Sequence, residues 1–141
     1  MHEALTTDLD ASTLYGILRL RVDVFVVEQE CAYAELDGRD LEPTTRQLWC
    51  IDESGAVLAT LRLLHDGDDR RIGRVATAVS ARGRGLAATL MTSAVDECAG
   101  STVRLDAQER LEGWYARFGF VRAGDTFLED GLPHVPMIRG A

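Results

Sequence analysis

Lysine and asparagine are both missing from this 141-residue sequence, so all fifteen basic side chains are arginine. A chain without lysine cannot build the nucleotide P-loop GxxxxGK[ST], which needs that amine on the phosphates. No run of about eighteen apolar residues occurs, which excludes a membrane-spanning helix. The opening MHEALTTDLD has no basic patch followed by an apolar block. No secretory leader is therefore expected, and the expected location is the cytoplasm. Cys31, Cys50 and Cys98 form neither a CxxC pair nor an even set. They predict no disulfide framework and no metal site, only small apolar side chains in the core. Positive charge is also short: 23 acidic against 15 basic residues leave a net charge of −8. Nucleic-acid binding, which runs on phosphate neutralisation, is not expected.

What is present suffices for one domain over residues 1–141, with 46% apolar residues to build a single core. The charges are unevenly spread. Arg70, Arg71, Arg74, Arg82 and Arg84 surround a glycine-rich turn, while Glu28, Glu30, Glu35, Asp37, Asp40 and Glu42 fill an earlier segment. The pattern suits an anionic ligand at the turn and a cationic one elsewhere; the plainer reading is solvated surface. Leu14, Leu18, Val22 and Phe25 are spaced for a helix over 12–29, capped by Asp10 or Ser12. Residues 31–45 read as irregular. Strand-like runs follow at 47–52, 57–64 and 71–79, joined by turns at Glu53-Ser54-Gly55 and Asp66-Gly67-Asp68-Asp69. Helices over 85–98 and 109–118 flank a strand at 103–107, and strands near 123–128 and 134–138 enclose the turn Asp130-Gly131. The order β-α-β-β-β-α-β-α-β-β predicts an α+β fold. Its sheet is mixed, mainly antiparallel and twisted, with about six to seven strands, a central β-α-β unit and helices on both faces.

The segment RVATAVSARGRGLAATLM, residues 74–91, carries the chemistry. A glycine turn at a helix N-terminus directs successive backbone N–H groups at a phosphate, and the helix dipole favours its charge. Gly83-Arg84-Gly85-Leu86-Ala87-Ala88 satisfies the dinucleotide pattern GxGxx[GA], with Asp106 placed for a ribose. Against that reading, Ser80-Ala81-Arg82 separates the turn from its strand, and too little chain follows for further parallel units. The alternative pattern [QR]xxGx[GA] fits Arg82-Gly83-Arg84-Gly85-Leu86-Ala87 and calls for a diphosphate alone.

These stretches resemble the GCN5-related N-acetyltransferase (GNAT) superfamily over essentially the whole chain. Residues 74–91 are similar to its acetyl-CoA motif. VRLDAQERLEGWYARFGF, residues 103–120, is similar to its second motif, with Tyr115 spaced before Phe118-Gly119-Phe120. LRLRVDVFVVEQECAY, ELDGRDL and EDGLPHVPM resemble the ElaA-like branch; Gln47 stands where relatives often show His, so no role of that His transfers. The resemblance implies acetyl-CoA as co-substrate, held by Val75, Ala76, Thr77, Arg82, Gly83, Arg84, Gly85, Leu86, Ala87, Ala88, Gln108 and Tyr115. Many members carry asparagine at the position of Gln108. It also implies a bulge in strand 71–79 and a splay from strand 103–107.

The implied reaction is acetyl transfer to a primary amine of a small molecule or a protein by direct attack. Tyr115 is the candidate general acid, because a phenol stays protonated at neutral pH. Glu28 and His134 are candidate catalytic residues on the acceptor side, where Asp37, Asp40 and Glu129 are also available, and the sequence does not choose among them. No membrane or nucleic-acid partner is expected, and a homodimer is the default assembly. Two rival readings stay open: a coenzyme A sensor that catalyses nothing, and an acyl-homoserine-lactone synthase, for which the chain is short.

Overall fold

Residues 1–141 are described by a computed structural model. Strand β1 (His2–Leu5) leads into helix α1 (Ala11–Val22), whose start is fixed by Asp10 accepting from the Thr13 amide at 2.7 Å. The sequence predicts one helix to residue 29, but α1 passes into a wide π-type turn over Asp23–Glu28. Within that turn Val24 stays packed with Leu20 and Ala76.

Strands β2 (Arg46–Ile51), β3 (Val57–Asp66) and β4 (Asp69–Thr77) form an antiparallel meander. Gly67 at φ +61° opens the two-residue loop between β3 and β4, as a type II′ turn requires. Helix α2 (Leu86–Glu97) then crosses to β5 (Val103–Gln108), which lies parallel to β4. A 3₁₀ turn at Glu109–Leu111 precedes the short α3 (Glu112–Ala116). The last elements are β6 (Val121–Arg122), β7 (Phe127–Glu129) and β8 (Leu132–Arg139). Asp130 at φ +50° and Gly131 at φ +79° close the β7–β8 hairpin as a type I′ turn.

The sheet has eight strands in the order β1-β2-β3-β4-β5-β8-β6, with β7 paired to β8. That is one more than the upper count of seven: in place of the single strand expected near 123–128 there are two short ones, β6 and β7, with residues 123–126 outside the sheet. Only β4–β5 is parallel. One face carries the main core: Leu90, Met91 and Ala94 of α2 pack on Leu61, Leu63, Ile72 and Leu105. Leu20 and Val24 cover Ala76 on the other face. β3 therefore has helix on both sides, and its residues 59–64 are buried without alternation. Cys50 and Cys98 are core residues as expected; Cys31 is a correction, half-buried with its thiol 3.5 Å from the Asp130 carbonyl.

The acidic segment 31–45 is not a solvated face. It folds back on the sheet because Arg21, fully buried on α1, donates to Glu35 at 2.7 Å and to Asp40 at 2.6 Å. Arg62 of β3 reaches Asp37 at 2.8 Å and Asp40 at 3.4 Å. Gln47 donates to Asp40 at 2.9 Å and to Thr6 at 3.2 Å. Buried charges this close are tolerated only when paired and hydrogen-bonded, so the network fixes the loop's path.

Candidate active site

After β4 a single 3₁₀ turn, Val79–Ala81, delivers the glycine segment to the N-terminus of α2. Gly83 sits at φ +83° and Gly85 at φ +75°. A Cβ on either would meet no atom within 4 Å, so the backbone conformation, not crowding, calls for glycine. None of the six amides from Gly83 to Ala88 donates to a protein acceptor, and no side chain caps the helix. Free N–H groups at the positive end of a 12-residue helix are suited to hold an anion.

The neighbouring strands open a groove beside the turn. β4 and β5 pair at only two positions, Arg70↔Val103 and Arg71↔Arg104. Beyond them β4 carries a bulge, where its register against β3 shifts between Thr60 and Arg62 and Arg74 takes φ +52°. Val75, Ala76 and Thr77 are thereby led away from β5, and the edge they present has no strand partner. A groove of about 490 Å³ runs from the glycine turn along this edge. A second cavity of about 390 Å³ lies beyond it, and the two share Phe25, Gln29, Val75, Gln108, Leu111 and Tyr115.

Tyr115 stands at that junction. Its ring is held edge-on by Trp114 at 4.9 Å, and Trp114 in turn meets Phe118 at 5.0 Å. The residue is only 7% exposed, and its hydroxyl, at the wall of both cavities, makes no hydrogen bond within the protein. Burial pushes the phenol up to about 12, with nearby Arg110 offsetting part of the effect. It therefore remains a proton donor across the neutral range. Gln108 donates to Gln29 at 3.3 Å and accepts from Arg110 at 3.1 Å, so its amide is oriented before any ligand arrives. Gln29 has no counterpart in the sequence analysis; it lies just past the π-type turn, which no local pattern announces.

The acceptor-side candidates separate. Glu28 is gripped by Arg82 through two hydrogen bonds of 2.8 and 2.6 Å, which hold its carboxyl below the usual range. Burial opposes ionisation of Asp37, but Arg62 and the Arg39 amide hold it at about 2. Burial likewise opposes ionisation of Asp40, and hydrogen bonds from Arg21 outweigh it. None of these three is a ready base. His134 differs: Leu132 O lies 2.8 Å from its Nδ1, while Nε2 makes no hydrogen bond and the ring lines the second cavity. Glu129 Oε2 stands 3.7 Å from that Nε2.

The expected basic patch also shrinks. Arg74 turns from the glycine segment toward Glu35 and Asp37, its Nε 2.9 Å from Glu35 Oε2 in ionic contact but off-line for a hydrogen bond. Arg71 bridges Asp66 and Asp106, at 3.1 and 3.2 Å. Asp106 is thus paired across the sheet instead of being free for a ribose. Arg70 donates to the Asp68 and Asp69 carbonyls, so of the five only Arg82 and Arg84 remain at the turn, where Arg84 donates to the Ser80 carbonyl at 3.4 Å; Arg110 and Arg117 also line the groove.

Residues 19–139 match the family model described as "Acetyltransferase (GNAT) domain". The chain belongs to the GNAT family. A UPF0039 protein of Mycobacterium tuberculosis is 52% identical over 136 residues, covering 94% of this chain and 87% of its relative. Among solved structures, an acyl-CoA N-acyltransferase from Pseudomonas aeruginosa superposes with a TM-score of 0.93 at 40% identity, covering 99% and 97% of the two chains. Escherichia coli ElaA superposes with a TM-score of 0.91 at 34% identity, covering 98% and 97%. The fold is the acyl-CoA N-acyltransferase fold, and the ElaA-like resemblance is borne out.

Proposed function

We propose that this GNAT protein is an acetyl-CoA-dependent N-acetyltransferase acting on a primary amine in a ternary complex. One observation carries the reading: the free amides of Gly83–Ala88 open onto an unpartnered strand edge that ends at an unbonded, protonated Tyr115. In this reading the amides and Arg84 hold the coenzyme diphosphate. Pantetheine lies along Val75–Thr77 as an added strand, which sets the thioester at the junction of the two cavities. An N–H of that strand faces the thioester oxygen, an interaction worth about 3 kcal/mol where it has been removed elsewhere.

A primary ammonium with a pKa of about 10.4 is neutral only about once in 2,500 at pH 7. His134 Nε2, free and facing the acceptor cavity, takes that proton directly or through water. The neutral nitrogen attacks the thioester carbonyl and the C–N bond forms. As the C–S bond breaks, Tyr115 gives its proton to the thiolate and recovers one from the acylated nitrogen. The products are an amide, free coenzyme A thiol and one released proton. The free thiols favour a reducing compartment, and we place the reaction in the cytoplasm.

The test is thiol release from acetyl-CoA across a panel of amines. A competent amine releases thiol in proportion to N-acetylated product. Tight coenzyme binding with no release from any amine would identify a sensor instead.

A further inference from the structure

The charges around the second cavity are nearly all accounted for, and the exceptions share one sign. Arg39 pairs with Glu42 and Asp66, Arg62 with Asp37 and Asp40, Arg71 with Asp66 and Asp106, and Arg74 with Glu35 and Asp37. With Arg21 included, five guanidinium groups meet six carboxylates. Across the cavity the β7–β8 hairpin adds Glu129 and Asp130, neither paired with an arginine. His134, only 9% exposed, points an unbonded Nε2 into the same space. The cavity is thus negative at its hairpin wall and offers no unpaired cation to an anionic group.

An amine that reacts must first lose its charge, so its own ammonium cannot supply lasting attraction to that wall. Attraction that persists through the reaction requires a second positive charge on the same molecule. We infer that the acceptor is a short diamine or polyamine. One nitrogen reacts beside Tyr115, and a second ammonium is held by Glu129 and Asp130. The cavity of about 390 Å³ suits a small aliphatic chain. Apolar Leu111 and Leu132 line it and fit the methylenes between the nitrogens. A zwitterionic amino acid would set its carboxylate against the acidic wall, where like charges repel.

This inference rests on the acetyltransferase reading, and the two are separated by using two measurements. In the first, thiol release from acetyl-CoA is followed with putrescine, butylamine and γ-aminobutyrate. Putrescine should exceed butylamine in kcat/KM by about tenfold, equivalent to about 1.4 kcal/mol, with γ-aminobutyrate lower still. The double variant Glu129→Gln/Asp130→Asn should bring the putrescine-to-butylamine ratio toward one, mainly by raising KM for putrescine. In the second, calorimetry measures the same three amines binding to the wild-type protein saturated with coenzyme A, where no transfer occurs. Preferential putrescine binding without thiol release would uphold the site and sink the enzyme reading. Equal treatment of putrescine and butylamine, preference for γ-aminobutyrate, or binding of no amine would overturn the inference.

Discussion

Arg82 and Glu28 are joined by two hydrogen bonds, of 2.8 and 2.6 Å, that clip the glycine turn to the end of the first helical segment. A carboxylate held this way stabilises a cation it already owns and has little capacity for another proton. Glu28→Gln should therefore cost less than about tenfold in kcat/KM, while His134→Ala should cost about a hundredfold and regain activity with added imidazole. Loss of turnover in the first variant, or failure of imidazole to rescue the second, would exchange their roles.

Tyr115→Phe removes the hydroxyl and keeps the ring between Trp114 and the core. The expected result is a drop in kcat of about 10²-fold or more, with coenzyme A affinity within about twofold of wild type. Steady-state kinetics and calorimetry on the same preparation read both quantities.

Gly85→Ala places a side chain on a backbone at φ +75°, which costs a non-glycine residue about 1 kcal/mol. Nothing in the protein blocks the new methyl group. In the proposed reading the coenzyme approaches this backbone closely, so the chief effect should fall on its binding. Coenzyme A affinity should fall about tenfold or more, against a loss of only a few degrees in thermal midpoint.

Arg21→Ala leaves Glu35 and Asp40 buried without their shared partner. Breaking a pair of this kind from one side costs about 3–5 kcal/mol. Urea denaturation should show a lower midpoint at unchanged slope. Hydrogen exchange should show residues 31–45 losing protection first.

Glu97 provides a pH signature unrelated to catalysis. Burial, then its hydrogen bond and repulsion with Glu3, raise its carboxyl to about 7 against an ordinary 4.5, while Arg46 at 3.0 Å opposes the rise. The folded state binds this proton more tightly than the unfolded chain does. The stability it contributes is full at low pH and disappears as pH climbs through about 7. For a side chain one-third exposed, solvent screening reduces this to about 1 kcal/mol, or about 3 °C. Thermal scans from about pH 4.5 to pH 7.5 should show the fall in wild type, and Glu97→Gln should remove it.

Features legible in the sequence were those written in adjacent residues. Asp130-Gly131 announces a type I′ hairpin, Gly83 and Gly85 an unusual backbone, and Tyr115 to Phe120 a helix ending at a glycine. The central crossover and both helical layers also follow from local periodicity. The partners of the arginines were not legible. Arg74 sits in sequence beside the glycine turn, but the bulge at its own position re-aims it toward Glu35, thirty-nine residues earlier. Arg21 reads as an exposed helix residue until the acidic loop closes over it. Gln47 likewise gains its meaning only from Asp40 and Thr6. Long-range pairing of charges leaves no periodic trace, so Glu35 and Asp40 read as surface although they are buried.

The parting of β4 from β5 after two rungs gives this protein a raw margin inside its sheet instead of at the rim. A bare margin normally invites stray strands from other molecules. Here helical residues line it, Val24, Phe25 and Glu28 from one segment and Leu86, Ala87 and Ala88 from another. If the proposed coenzyme lies there, the same gap that would be a hazard at the periphery becomes a slot, and the visitor itself finishes the weave.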